Sequence, residues 1–201
     1  MFDDTCRAEV ERLWARKVDQ DARGLPKEQR HRNLEPASAE LLHALAAGLR
    51  ARRLVEVGGS SGLSTIALAS AARRTGGRLV SIELEPTRQA EARETIARLG
   101  LAAFVDFRLG DAAQVLPTLD EQDLALLDCE KDDYARFFDL LKLAPGAVVV
   151  ADNVLSHDLR EYVAHVRAGP GVESITLPVG KGLEVSRVGP NRRLDSTTGN
   201  R

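Results

Sequence analysis

From Arg53 onward the chain alternates short apolar runs with helical patterns, and this alternation constrains the fold more than any other feature. The runs Leu54–Val57, Leu79–Ile82, Ala103–Phe107, Leu124–Asp128 and Ala147–Ala151 have strand length. The stretches between them, Gly62–Arg73, Thr87–Leu99, Asp111–Leu116 and Asp133–Leu143, carry helical spacing. Strands without a clean in-out alternation, separated by helices, predict parallel pairing with both sheet faces covered. Right-handed crossovers then give a doubly wound α/β sheet. Two later runs, Val172–Leu177 and Leu183–Val188, are joined by Pro178-Val179-Gly180-Lys181-Gly182 with no helix between them. That pattern predicts an antiparallel hairpin at the sheet edge.

The first 50 residues are different. Residues 2–20 place Phe2, Cys6, Val10, Leu13, Trp14 and Val18 among charges, an amphipathic helix. Residues 20–35 are polar and Arg-rich and read as a connection or a flap. Pro36–Leu49 is helical, with Leu41, Leu42, Leu45 and Leu49 on one side. The apolar faces of these two helices have two places to go, the sheet or a second copy of the chain as a homodimer. A length of 201 residues predicts one domain: a helical segment at 1–50, a core at 51–189 and a frayed polar tail at 190–201. The net charge of −2 gives no electrostatic case for nucleic acid or an anionic membrane. Two cysteines, Cys6 and Cys129, make no disulfide framework, and the start MFDDTCRAEVERL has the pattern of neither a signal peptide nor a membrane span. A cytoplasmic setting is expected.

In an open α/β sheet, ligands bind at the carboxyl ends of the strands. Those ends carry Glu56–Gly62, Glu83, Gly110–Asp111, Asp128 and Asp152–Asn153, so carboxylates recur immediately after apolar runs. Gly58, Gly59 and Gly62 give a tight turn into a helix whose free N–H groups suit a carboxylate or phosphate. Ser60 occupies the place of the middle glycine of GxGxxG, and no lysine follows Gly62, so neither the dinucleotide fingerprint nor the phosphate loop is matched. Glu83 is placed to hold ribose hydroxyls. Glu56, costly to bury unless partnered, could meet the amino group of a cationic amino-acid ligand or accept backbone hydrogen bonds. Asp111 reads equally as a helix cap or as a contact around a nucleoside.

Asp128 and Asp152 fall at the ends of strands expected to be neighbours. With Asn153 they offer three hard oxygen ligands, a set that suits Mg²⁺ better than zinc. The alternative is helix capping by Asp128 and an Asp-Asn turn. Lysine is scarce, five residues against 23 arginines, and Lys131 lies three residues past Asp128. A lysine beside a metal and an apolar wall can be tuned to act as a base. Cys129 has no histidine near it in sequence and reads as a cavity wall. His157 follows Asp152-Asn153 and reads as a substrate-side residue or a solvated helix start. The arginines between Arg23 and Arg32 could guide an anionic substrate or simply form a solvated segment.

Taken in order, these motifs resemble a class I S-adenosylmethionine-dependent O-methyltransferase of the catechol and caffeoyl-CoA type. The resemblance runs from Asn33 to Val188. It is carried by Glu56-Val57-Gly58 with Gly62 and Ser64-Thr65, by Ser81-Ile82-Glu83 with Pro86, and by Gly110-Asp111-Ala112. Asp128 with Lys131 and Tyr134, Asp152-Asn153-Val154-Leu155, and Leu177-Pro178-Val179-Gly180 with Gly182-Leu183 complete it. It implies a three-layer Rossmann-like methyltransferase fold with a seven-stranded, mostly parallel sheet in the order 3-2-1-4-5-7-6 and an antiparallel strand 7. It implies S-adenosyl-L-methionine held by Glu56, Gly58, Gly59, Ser60, Gly62, Ser64, Glu83, Leu84, Gly110, Asp111, Ala112 and Asp128. It further implies a divalent cation such as Mg²⁺ on Asp128, Asp152 and Asn153, with Lys131 and Asp128 as catalytic residues.

The implied reaction is methyl transfer to a hydroxyl of a small catechol-like aromatic acceptor. Two alternatives stand beside it: a metal-independent small-molecule methyltransferase of the same fold, and a non-catalytic nucleoside-binding protein. The chain departs from the family pattern in three places. Only some two dozen residues separate Asn153 from Leu177, where a longer loop is common. Cys129-Glu130 replaces small or aromatic residues. Lys181 stands where Gly-Asp-Gly is common.

Overall fold

The computed structural model describes residues 3–26 and 29–189. Phe2, Lys27 and the tail at 190–201 lie outside the described residues, so the expectation of a frayed tail is not addressed.

Seven strands form one sheet: β1 (Arg53–Val57), β2 (Arg78–Glu83), β3 (Val105–Leu109), β4 (Gln122–Leu127), β5 (Leu143–Asp152), β6 (Val172–Leu177) and β7 (Leu183–Val188). Their order is β3-β2-β1-β4-β5-β7-β6. The first five are parallel, and β7 runs antiparallel to both β5 and β6. This is the order implied by the resemblance, and the late hairpin lies at the sheet edge as its turn predicts.

The helices are α1 (Asp4–Ala22), α2 (Pro36–Gly48), α3 (Leu63–Thr75), α4 (Pro86–Arg98), α5 (Ala112–Val115), α6 (Tyr134–Leu140) and α7 (Arg160–Ala168). Their ends follow local chemistry. The Asp3 carboxylate accepts from Cys6 N–H at the start of α1. Pro36 and Pro86 open α2 and α4, where a missing N–H costs nothing. Gly76 in the left-handed region ends α3.

Successive strand residues feed opposite cores. Leu54, Leu79, Leu124, Leu126, Val148 and Val150 pack with α1–α4, while Val55, Val57, Ala125, Leu127, Val149 and Ala151 pack with α5–α7. The three layers follow from that division. The apolar residues Cys6, Val10 and Leu13 of α1 and Ala39, Leu42 and Ala46 of α2 are buried in the first core, with α3. They pack mainly on α3, while Val18 and Leu49 of the same faces stay exposed.

Three details differ from the sequence expectation. The third strand starts two residues late, because Ala102–Phe104 forms a 3₁₀ turn first. The fifth begins at Leu143, so α6 stops at Leu140. The connection from Asn153 to β6 contains α7, for which the sequence offered only a helix start at His157 as one of two readings and no extent. Among the described residues, no helix is long and apolar enough to cross a membrane.

Candidate active site

Register places the acidic strand ends together. Leu126 pairs with Glu56 and Val150, and Leu127 pairs with Val57 and Ala151, so Asp128 and Asp152 leave the sheet side by side. Gly58 passes under the Asp128 backbone: a Cβ on it would sit 2.1 Å from the Asp128 carbonyl oxygen, and its φ is +94°. Gly62, at φ +101°, brings α3 against Ala92 of α4, where a Cβ would meet two atoms at 3.1 Å. These glycines serve close approach and positive φ together.

A cavity of about 370 Å³ opens at the ends of β1, β2 and β4. It is bordered by Gly58, Ser60, Glu83, Leu84, Gly110, Asp111, Ala112 and Asp128, with Arg32, Cys129 and Phe137 among its other walls. Glu83 is held rigidly. One carboxylate oxygen accepts from Ser60 N–H at 2.7 Å, and the other from Leu84 N–H at 2.8 Å and Glu85 N–H at 2.9 Å. The Asp111 carboxylate caps α5 through Ala113 N–H while its residue borders the cavity, so both roles weighed for it are open to one side chain. Burial pushes the Cys129 thiol well above its ordinary range, as suits a wall rather than a nucleophile.

Glu56, Gly59, Gly62 and Ser64 are not among the residues lining this cavity. Glu56 is fully buried and accepts from Ser64 Oγ at 2.7 Å and from Thr65 Oγ1. The donors are side-chain hydroxyls rather than the backbone N–H groups expected from the sequence. Burial raises its carboxyl above the usual range, although the two hydroxyls oppose the shift.

A second cavity of about 260 Å³ lies on the other side of Asp128. Lys131, Asp152, Asn153, His157 and Lys181 border it, and the segment Arg30–Asn33 with Lys17 closes it. That segment, the expected flap, is tied down by Arg32 N–H to Ser60 Oγ at 3.1 Å and Ser61 Oγ to Asn33 Oδ1 at 3.1 Å. Asp128 and Arg32 border both cavities.

Here Lys131 donates to Tyr134 Oη at 2.7 Å and lies 3.3 Å from Asp128 Oδ1. Asn153, at φ +70°, donates from Nδ2 to Asp128 Oδ1 at 3.1 Å and to Asp152 Oδ2 at 2.8 Å. Burial raises the Asp128 carboxyl, with Lys131 pulling it back. Burial and the neighbouring Asp128 charge push Asp152 up to about 7. Asp152 Oδ1 is buried without a hydrogen-bond partner. Two carboxylates with an amide oxygen suit a hard divalent cation. Among the described residues, no group of three or more His, Cys, Asp or Glu could hold a metal, so such an ion would need the Asn153 amide.

Sequence reasoning did not single out Asn33 as a wall of the second cavity, and took Arg32 only as part of an arginine run. No local pattern marks either, since both arrive through tertiary closure of the N-terminal segment.

A family model described as a methyltransferase domain matches residues 55–154. The catechol O-methyltransferase of Niastella koreensis is 35% identical over 130 residues, 61% of this chain and 58% of that protein. The chain thus spans less than two thirds of that relative's length. The caffeoyl-CoA O-methyltransferase of Mesembryanthemum crystallinum is 30% identical over 189 residues, 77% of this chain and 73% of that protein. The O-methyltransferase TomG from Streptomyces achromogenes, solved in complex with SAM, superposes with a TM-score of 0.76 at 27% identity, covering 93% of this chain and 91% of that one. With these likenesses and the shared sheet order, the chain belongs to the S-adenosylmethionine-dependent O-methyltransferases of the catechol and caffeoyl-CoA type.

Proposed function

We propose that the chain transfers the methyl group of S-adenosyl-L-methionine to a hydroxyl of a small aromatic, catechol-like acceptor. The observation that carries this reading is the pair of cavities meeting at Asp128, one lined by the glycine turn and Glu83, the other by Lys131, Asp152 and Asn153. When bound, S-adenosylmethionine supplies an electrophilic sulfonium methyl. Glu83 would accept from a ribose hydroxyl at Oε2, which takes only one backbone N–H. The Gly58–Ser60 turn accommodates the methionine part, and Asp111 and Ala112 flank the base. Lys131 serves the acceptor hydroxyl, taking its proton or, as an ammonium, holding the phenolate. With both ligands bound, the walls would orient the acceptor hydroxyl toward the sulfonium methyl, and this orientation would be the main catalytic contribution.

Catalysis by the chain's own groups is favoured by the state of Asp128, already engaged by Lys131 and Asn153, and by the lack, among the described residues, of a third His, Cys, Asp or Glu beside the two carboxylates. A second reading, favoured by the unpartnered Asp152 Oδ1, adds a divalent cation such as Mg²⁺ on Asp128, Asp152 and Asn153. There it would lower the hydroxyl pKa and orient two vicinal oxygens. Methyl transfer to catechols, assayed with and without excess EDTA, separates the two. Activity that survives chelation supports the first reading, and activity abolished by EDTA and restored by Mg²⁺ supports the second. Absence of S-adenosylmethionine binding by calorimetry would remove both.

A further inference from the structure

Among the described residues, four helices close in the same turn, and one of them departs in the residue it uses. The left-handed residue past α1, α3 and α4 is a glycine: Gly24, Gly76 and Gly100, at φ +63°, +68° and +66°. The next N–H bonds the carbonyl five residues back, Leu25 to Gln20 at 3.2 Å, Gly77 to Ala72 at 2.9 Å and Leu101 to Ile96 at 3.0 Å. At the end of α2 the same turn, with Ala51 N–H on the Ala46 carbonyl at 3.0 Å, is made by Arg50 at φ +53°. A side chain is disfavoured there. Among the described residues, the other non-glycine residues at positive φ are Ser60 and Asn153, and each borders one of the active-site cavities. Residues held in disfavoured backbone conformations concentrate at functional sites.

Arg50 borders a third cavity, of about 660 Å³, at the end of the sheet where β1, β2 and β5 begin, opposite the active site. Arg52, Arg53 and Arg78 border it too. The loops that carry them are locked together: Arg78 N–H donates to the Arg52 carbonyl at 2.7 Å, and a Cβ on Gly77 would meet Arg52 Cα at 2.5 Å. Asp123 is the carboxylate among the bordering residues, and its oxygens are spent. Oδ2 accepts from Arg52 and Arg53 N–H, each at 2.8 Å, and Oδ1 from the Arg53 guanidinium at 3.3 Å. Asp120 and Glu121, just before β4, do not border the cavity. The Arg52 guanidinium reaches only the Gly76 carbonyl, at 3.5 Å, and Arg50 and Arg78 pair with no carboxylate among the described residues. Three exposed guanidinium groups thus stand uncompensated around one cavity, beside an apolar side formed by Leu49, 42% exposed, and Pro145.

We propose that this cavity is a second ligand site, separate from the methyl-transfer centre, for a chain of linked phosphates, supplied either as free polyphosphate or as a nucleotide. Guanidinium groups bind phosphate oxygens through paired, charge-assisted hydrogen bonds. Uncompensated charges from two loops, one before β1 and one before β2, match a polyanion better than a single carboxylate or phosphate. The volume falls within the roughly 300–1,000 Å³ of small-molecule sites. Exposure of the arginines moderates the gain from each.

The test is calorimetry of inorganic triphosphate and of ATP, without divalent cations and with excess S-adenosylhomocysteine present, on the wild type, Arg50→Gly and Arg78→Gln. The expected result is saturable binding that persists beside S-adenosylhomocysteine, falls with added salt and weakens roughly five- to thirtyfold in each variant. Arg50→Gly should meanwhile raise Tm, because glycine suits the turn. A loss of affinity in a more stable variant cannot come from misfolding. If Arg50→Gly instead lowers Tm, the affinity of Arg78→Gln decides. Tighter binding of ATP identifies a nucleotide that uses the Leu49 side, and equal or tighter binding of triphosphate identifies the phosphate chain alone. Displacement by S-adenosylhomocysteine, affinity unchanged in Arg78→Gln or in a stable Arg50→Gly, or no saturation of the wild type by roughly 1 mM of either probe overturns the inference.

Discussion

The Lys131 ammonium donates to the Tyr134 hydroxyl at 2.7 Å, and that hydroxyl in turn donates to the Asp152 carbonyl at 3.2 Å. Tyr134 is fully buried, so the lysine hangs on a rigid post rather than on a free side chain. Replacing Lys131 with Met is expected to lower kcat by roughly 10²–10⁴ while sparing S-adenosylmethionine affinity. Tyr134→Phe keeps the lysine but frees its head. It is expected to cost about 1 kcal/mol, or roughly 2–4 °C in Tm for a chain of this size, with a smaller fall in kcat. A wild-type rate in Lys131→Met would remove the lysine from the mechanism.

Glu83 spends its visible hydrogen bonds on backbone N–H groups of two loops, at Ser60, Leu84 and Glu85. Its substitution therefore has two consequences to separate. Glu83→Ala removes a charged acceptor worth roughly 1.5–3 kcal/mol, which weakens S-adenosylmethionine binding about 10- to 150-fold if ribose hydroxyls use it. It also frees three N–H groups and should lower Tm. Calorimetry checks the first consequence and thermal unfolding the second. A lowered Tm with unchanged affinity would make Glu83 a loop organiser alone.

The acids at the ends of β1, β2, β4 and β5 were legible because each follows a run of buried apolar residues, and parallel pairing then forces those ends to one side. The helix α7 was not. Its stripe Leu159, Tyr162, Val163 and Val166 does follow helical spacing, but it spans only about two and a half turns and is set among charges. The start of β3 was misplaced for a related reason: an edge strand with Arg108 and Leu109 exposed carries little burial signal. Glu184 on β7 was invisible too. It is fully buried, satisfied by Arg167 on α7 at 2.8 Å and by Ser174 at 2.6 Å. The roof of the 260 Å³ cavity depends on single tertiary bonds such as His31 N–H to Gln20 Oε1 at 2.8 Å, which leave no periodic trace.

Glu56 sets a pH dependence of one sign. Burial raises its carboxyl above the ordinary 4.5, so between that value and its folded value the native state binds more protons than the unfolded chain. Stability from this group is complete below pH 4.5 and is lost as pH rises through the folded value. Glu56→Gln keeps the shape and removes the charge, and the Ser64 and Thr65 hydroxyls can turn to accept from the amide. The variant is expected to match or exceed wild-type stability at pH 8, with the difference in its favour shrinking toward pH 4. Denaturant unfolding at the two pH values measures this. A variant much weaker than wild type at pH 8 would show that the ionised carboxylate stabilises the turn.

His43 sets the opposite sign. It is buried between α2 and α3, with Nδ1 3.2 Å from the Ala67 carbonyl, and burial lowers its pKa below the ordinary 6.5. The native state keeps the ring neutral, whereas the unfolded chain takes up a proton near pH 6.5, so stability is complete above that value and falls as pH drops below it. His43→Leu removes the titrating group and should flatten the acid limb between pH 6.5 and 5. Some slope should persist from His31, whose pKa is also lowered by burial even with Glu91 2.9 Å away. Unfolding midpoints of wild type and variant across that interval are the measurement. Parallel curves would mean that His43 accepts its proton in the folded state, and that the acid limb belongs to His31 and the carboxylates.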